Sequence, residues 1–222
     1  MTKGLQYFEK NNIRIITSLR CGHRTLKNAK NNLGNDFFVN IPVNVEFFES
    51  HTLFPYDGET YFIIRDPMEH LISALTFTMG MWYGDSINSN GLFHQLPNEK
   101  KLNHCIDEIY FSKYNFHWVA YRYQTIYKEV IKLDLKKYKY DFIILKNLTD
   151  FLKNKFEIYE IDNKDEYNSP HYTKSQILDL LKNNKFENFD RLVEMCFVEK
   201  YYYLLLKEKK FSEKFCHDYI ML

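Results

Sequence analysis

An α/β domain in three layers, with a central and mostly parallel sheet, is predicted for this chain by three observations. Short β-branched or apolar runs alternate with helical patterns through the first half. Several of those runs end in tight turns that feed directly into helix starts. At 222 residues, 45% hydrophobic and 18% aromatic, the chain can bury one sizeable core without disulfides or metals, and disorder is excluded. No internal repeat and no long Pro/Gly/Ser linker divides it, so one domain over residues 1–222 is expected.

Taken in order, Asn12–Thr17 (NIRIIT) is a β-branched strand that ends in a Ser-Leu-Arg-Cys-Gly turn. His23–Leu33 follows as a helix, with Gly34 at its C-cap. Val43–Ser50 is a further candidate strand and Thr60–Ile64 (TYFII) a buried one. Pro67 stands where it can start a helix over Met68–Thr78. Residues 80–113, broken by Gly84, Asn88, Gly91 and Pro97, read as an insertion or lid-like segment. Tyr114–Ile131 has a helical pattern, Tyr140–Leu145 reads as a strand, Asn147–Lys155 as a short helix and Phe156–Ile161 as a last strand. Residues 173–209 form two helices, and the second, around Phe189–Leu206, is apolar on more than one face and should pack as core.

Charge and cysteine usage narrow the function classes. Thirty basic and 29 acidic side chains leave a net charge of +1, against a broad nucleic-acid footprint. Cys21, Cys105, Cys196 and Cys216 are scattered without a CxxC pair, unlike a zinc site or a disulfide framework. With no apolar signal core at the N-terminus and no run near the ~18 apolar residues of a membrane span, a cytoplasmic protein without a membrane span is expected.

The segment Ser18–Thr25 carries the first chemical signal. It joins strand to helix through a glycine turn, the position where open parallel sheets hold ligands. Backbone N–H groups of Gly22, His23, Arg24 and Thr25 would face an anion at the helix N-terminus. Arg20 adds a planar cation and Thr25 a hydroxyl. An ordinary strand–turn–helix with a surface Arg and a capping Thr would look the same. The loop is not a Walker A motif, because GxxxxGK[ST] needs Lys before the hydroxyl residue and here His23-Arg24 precede Thr25.

Tyr61-Phe-Ile-Ile-Arg-Asp-Pro-Met-Glu-His-Leu-Ile-Ser-Ala-Leu75 resembles the 3′-phosphate-binding segment of sulfotransferases that use 3′-phosphoadenosine 5′-phosphosulfate (PAPS). In that family a buried strand ends in Arg-Asp-Pro or Arg-Asn-Pro, and the following helix presents a Ser two turns on. The resemblance implies that Arg65 and Ser73 bind the 3′-phosphate and that Ile15–Leu26 holds the 5′-phosphosulfate loop. Arg20, Cys21, Gly22, His23, Arg24 and Thr25 would then contact the 5′ end, with Arg20 where the family usually has Lys. Asn115-Phe-His-Trp118, Tyr140-Asp-Phe-Ile-Ile144 and Asn168-Ser-Pro-His-Tyr172 are similar to segments of carbohydrate sulfotransferases. The family has a P-loop NTPase-like fold. Its relatedness implies PAPS as co-substrate, no metal, and a hydroxyl-bearing acceptor, a saccharide being favoured; 80–113 would lie on the acceptor side.

Transfer of a sulfuryl group to a hydroxyl requires a general base. Several branches of the family use a His at the end of the strand preceding Arg-Asp-Pro. His51, closing Phe47-Phe-Glu-Ser-His51, is the corresponding choice, and its unperturbed pKa of ~6.5 leaves it neutral and basic near neutrality. Glu49 and Glu46 are alternates. A P-loop kinase or related nucleotide enzyme, and a non-catalytic nucleotide- or glycan-binding module, are the rival function classes.

Overall fold

The computed structural model describes residues 5–18, 21–22, 25–26, 29, 35–39, 57–84, 96–111, 140–159 and 172–208. Asn11 and Asn12 both take left-handed backbone, with φ of 52° and 59°. Such a pair makes the two-residue turn whose twist matches a β-hairpin. It joins β1 (Leu5–Lys10) to β2 (Ile13–Ser18) antiparallel, with Lys10 opposite Ile13.

β3 (Asn35–Val39), β4 (Glu59–Ile64) and β5 (Tyr140–Ile144) complete the sheet, in the order β3-β1-β2-β4-β5. β2, β4 and β5 run parallel; β1 is antiparallel to both β2 and β3. The α/β class and the parallel core trio are therefore as expected, and the antiparallel β3–β1 edge is additional. β2 is buried on both faces from Ile13 to Thr17, which fits a run that is β-branched apart from Arg14. Arg14 in that run is only 6% exposed, and its guanidinium donates to the cross-strand partner Glu9, with Nε to Oε1 at 2.5 Å. That pairing satisfies a charge that would otherwise be costly to bury.

Among the described residues the α-helices are α1 (Pro67–Gly84), α2 (Asn98–Phe111), α3 (Leu148–Phe156), α4 (Lys174–Asn183) and α5 (Glu187–Glu208). One face of the sheet (Phe8, Ile13, Ile15, Ile63 and Ile143) packs with Leu26 and Ala29 and with Leu148, Leu152 and Phe156 of α3. Alternation puts Ile16, Phe62 and Ile64 on the opposite face, and these are buried as well, so both faces are covered. A second cluster lies between helices: Leu71, Leu75 and Met79 of α1 meet Leu102 and Ile106 of α2, Ile177 of α4, and Leu192 and Cys196 of α5.

Four expectations need correction. Helix α1 continues six residues past Thr78, and the later part of 80–113, read as irregular, forms the packed helix α2 over Asn98–Phe111. The reason is the apolar spacing Leu102, Cys105, Ile106, Ile109, which gives α2 a continuous buried face. The last strand over Phe156–Ile161 is not formed in its described part. Phe156 ends α3, Glu157 turns left-handed at φ 57°, and Ile158 is buried by core packing without strand pairing. Helix α5 buries one stripe, Leu192, Cys196, Glu199, Tyr203 and Leu206, and leaves Phe197, Val198, Tyr201 and Leu204 exposed. The expected strand Val43–Ser50, the helix Tyr114–Ile131, Asn115–Trp118 and Cys216 lie outside the described residues.

Candidate functional site

The site is assembled where β2 and β4 end. These are hydrogen-bonded parallel neighbours with Ile16 level with Phe62, so the segments after them leave the sheet side by side. Adjacent strands are about 5 Å apart, which brings the turn at Cys21-Gly22 and the junction at Arg65 into one region.

The turn after β2 is shaped from inside the protein. The hydroxyl of Thr17 donates to the carbonyl of Cys21, and both residues are buried. Gly22 has φ +84°, and a Cβ there would stand 2.7 Å from Leu148 Cδ2 and 2.9 Å from Leu145 Cδ1. Only glycine satisfies both the backbone and the space. Leu26 N–H then donates to the Gly22 carbonyl at 3.0 Å and Ala29 N–H to Thr25 at 3.0 Å, a helical pattern that begins at the turn. Thr25 is half-buried, Leu26 fully buried. Arg20, His23 and Arg24 lie outside the described residues, as does His51 with Glu46 and Glu49.

The junction after β4 is described throughout. Asp66 caps α1: its Oδ1 accepts from Met68 N–H at 3.0 Å and Glu69 N–H at 3.3 Å, with Pro67 at the first helical position. Its other oxygen pairs with Lys200 of α5. Burial works against the Asp66 charge, but hydrogen bonds from Lys200 and from the backbone of Glu69 and Met68 outweigh it and hold the carboxyl below its usual range. The Arg65 side chain is 16% exposed and lies 4.0 Å from Glu69 at the limit of an ion pair. Ser73, half-buried, lies two turns along α1. Tyr203 of α5 is buried beside this junction; burial, then the carboxylates of Asp66 and Glu69, raise its phenol.

A direct contact joins the two segments. Cys21 Sγ lies 3.8 Å from His70 Nδ1, with both residues almost wholly buried. Thus Cys21 is brought against α1, the helix that follows Arg65 and carries Ser73 in its second turn. Cys21 turns its side chain inward, so any part it takes in holding an anion falls to its backbone. Lys200 and Tyr203 are the neighbours that sequence reasoning missed. They lie more than 130 residues from Asp66 along the chain, and no local pattern marks them. The capping role of Asp66 was signalled by Asp-Pro at a helix start.

The Asp66 geometry gives a pH prediction. A carboxyl with a lowered folded-state pKa stabilises fully above its unfolded value of about 3.9, and that contribution is lost as pH falls through the folded value. In acid melts, Asp66→Asn should be less stable than the native chain near neutrality, and the gap should close as pH drops below about 3.9. A gap that persists unchanged at lower pH would show that Asp66 ionisation is not its source.

No protein-family model, curated protein or solved structure matches this chain.

Proposed function

We propose that this protein is a PAPS-dependent sulfotransferase acting on a hydroxyl acceptor, with a saccharide the favoured class. The single observation that carries this reading is the pairing of two anion-suited segments at the ends of adjacent parallel strands, joined by Cys21 and His70. One starts a helix at a glycine that tolerates no side chain. The other offers a strand-end Arg and a helical Ser in the order the family uses.

In this reading Arg65 and Ser73 hold the 3′-phosphate, which would draw Arg65 from its loose pairing with Glu69. The turn from Arg20 to Thr25 holds the 5′-phosphosulfate against backbone N–H groups and the helix dipole. His51 takes the proton of the acceptor hydroxyl as its oxygen bonds to sulfur. The bond between sulfur and the phosphate oxygen breaks in line, and its electron pair stays on the phosphate, where Arg20 and the N–H groups stabilise it. These residues would supply the cationic and hydrogen-bonding parts of such a reaction.

The test is titration with 3′-phosphoadenosine 5′-phosphate. Arg65→Ala should weaken binding by about 10- to 100-fold, the range for losing a charge-assisted contact, and Ser73→Ala by less. Undiminished affinity in Arg65→Ala would remove the assignment of the 3′-phosphate to this junction.

A further inference from the structure

The side chains of Cys21 and His70 are assigned to neither phosphate, yet they form a contact between the two segments. Cys21 is 1% exposed and His70 2%. A thiol and an imidazole buried this deeply need polar partners, and each lies within reach of the other at 3.8 Å. The turn is therefore held at two points of one residue, its carbonyl by Thr17 and its thiol by His70. His70 is itself fixed, its backbone N–H donating to the Asp66 carbonyl at 2.9 Å in the first turn of α1. It stands one turn before Ser73 and immediately after Glu69, the partner of Arg65.

We infer that His70 is a positioning residue which, through Cys21, sets the spacing between the two anion sites and so selects nucleotides carrying two phosphates over those carrying one. The inference rests on the nucleotide-binding reading above. A ligand with two anchoring groups gains from the second only when the sites are held at the matching distance; if one site drifts, that gain is lost to ordering cost. Affinity for a singly phosphorylated ligand does not depend on the spacing. The selectivity ratio is thus a readout that a merely structural role would leave unmoved, since general loosening weakens both ligands together.

The experiment compares binding of 3′-phosphoadenosine 5′-phosphate with adenosine 5′-monophosphate. The proteins are the native chain, His70→Phe, His70→Asn and Cys21→Ala. Phe keeps the ring volume without nitrogen; Asn restores a polar group near Nδ1. The bisphosphate preference should fall about fivefold or more in His70→Phe and Cys21→Ala, in the range of ordinary site coupling, and recover in His70→Asn. Cys21→Ala breaks the contact from the other side and serves where His70→Phe does not fold. An unchanged ratio in the loss variants, with a clear preference in the native chain, overturns the positioning role and leaves the nucleotide reading standing. Absence of a preference in the native chain overturns both.

Discussion

His51→Ala should lower turnover by about 10²- to 10⁴-fold, the usual contribution of a positioned general base, while leaving affinity for 3′-phosphoadenosine 5′-phosphate unchanged. The separation follows from the proposed roles. In those roles the nucleotide would be gripped by Arg65, Ser73 and the turn after β2, whereas His51 would act on the acceptor proton as the new oxygen–sulfur bond forms. His51 lies outside the described residues, and its role rests on its place in the chain ahead of β4 and on the family resemblance. The pH profile adds a second check. A histidine base gives an acid limb in the imidazole range, about 6.5 for the free side chain, well above that of a carboxylate. A limb near the usual Glu value of about 4.3, with activity retained in His51→Ala, would move the role to Glu49 or Glu46.

Gly22→Ala should destabilise the folded chain by about 2–4 kcal/mol, from two additive causes. The first is backbone: φ of +84° lies where an L side chain is strained, typically by about 1–3 kcal/mol. The second is space, because the new methyl would meet Leu148 and Leu145 inside 3 Å. Leu148 is 2% exposed and packed with Leu152 and Ile63, so its room to yield is limited. Since the turn is part of the proposed anion site, nucleotide affinity should fall as well. Denaturant unfolding measures the first effect and titration the second. A variant as stable as the native chain would show that the turn relaxes freely.

The parallel trio β2–β4–β5 was legible because each strand is a short, nearly continuous apolar run; β2 and β4 are largely buried, whereas β5 buries only Ile143. The α1 start was legible from Pro67, which suits the first helical position. β1 went unread although Asn11-Asn12 forms a two-residue hairpin turn, because Leu5–Lys10 mixes polar residues into its apolar run. β3 was equally unmarked. α2 was hidden by the Gly, Asn and Pro residues ahead of it, which drew attention from its own apolar spacing. At the site, Gly22 and Arg65 could be read locally. The Cys21–His70 contact and the Lys200–Asp66 pair could not, since they depend on how distant elements pack rather than on any motif.

The central claim, that this chain binds a nucleotide through separate 3′- and 5′-phosphate grips, is tested most directly by thermal shift. Saturating 3′-phosphoadenosine 5′-phosphate, with chelator present, should raise the melting temperature by about 5–10 °C at roughly 100 times the dissociation constant. ATP with magnesium should raise it much less. The reverse order, with stabilisation by ATP and magnesium and none by the bisphosphate, would contradict the claim and point to a phosphoryl-transfer enzyme.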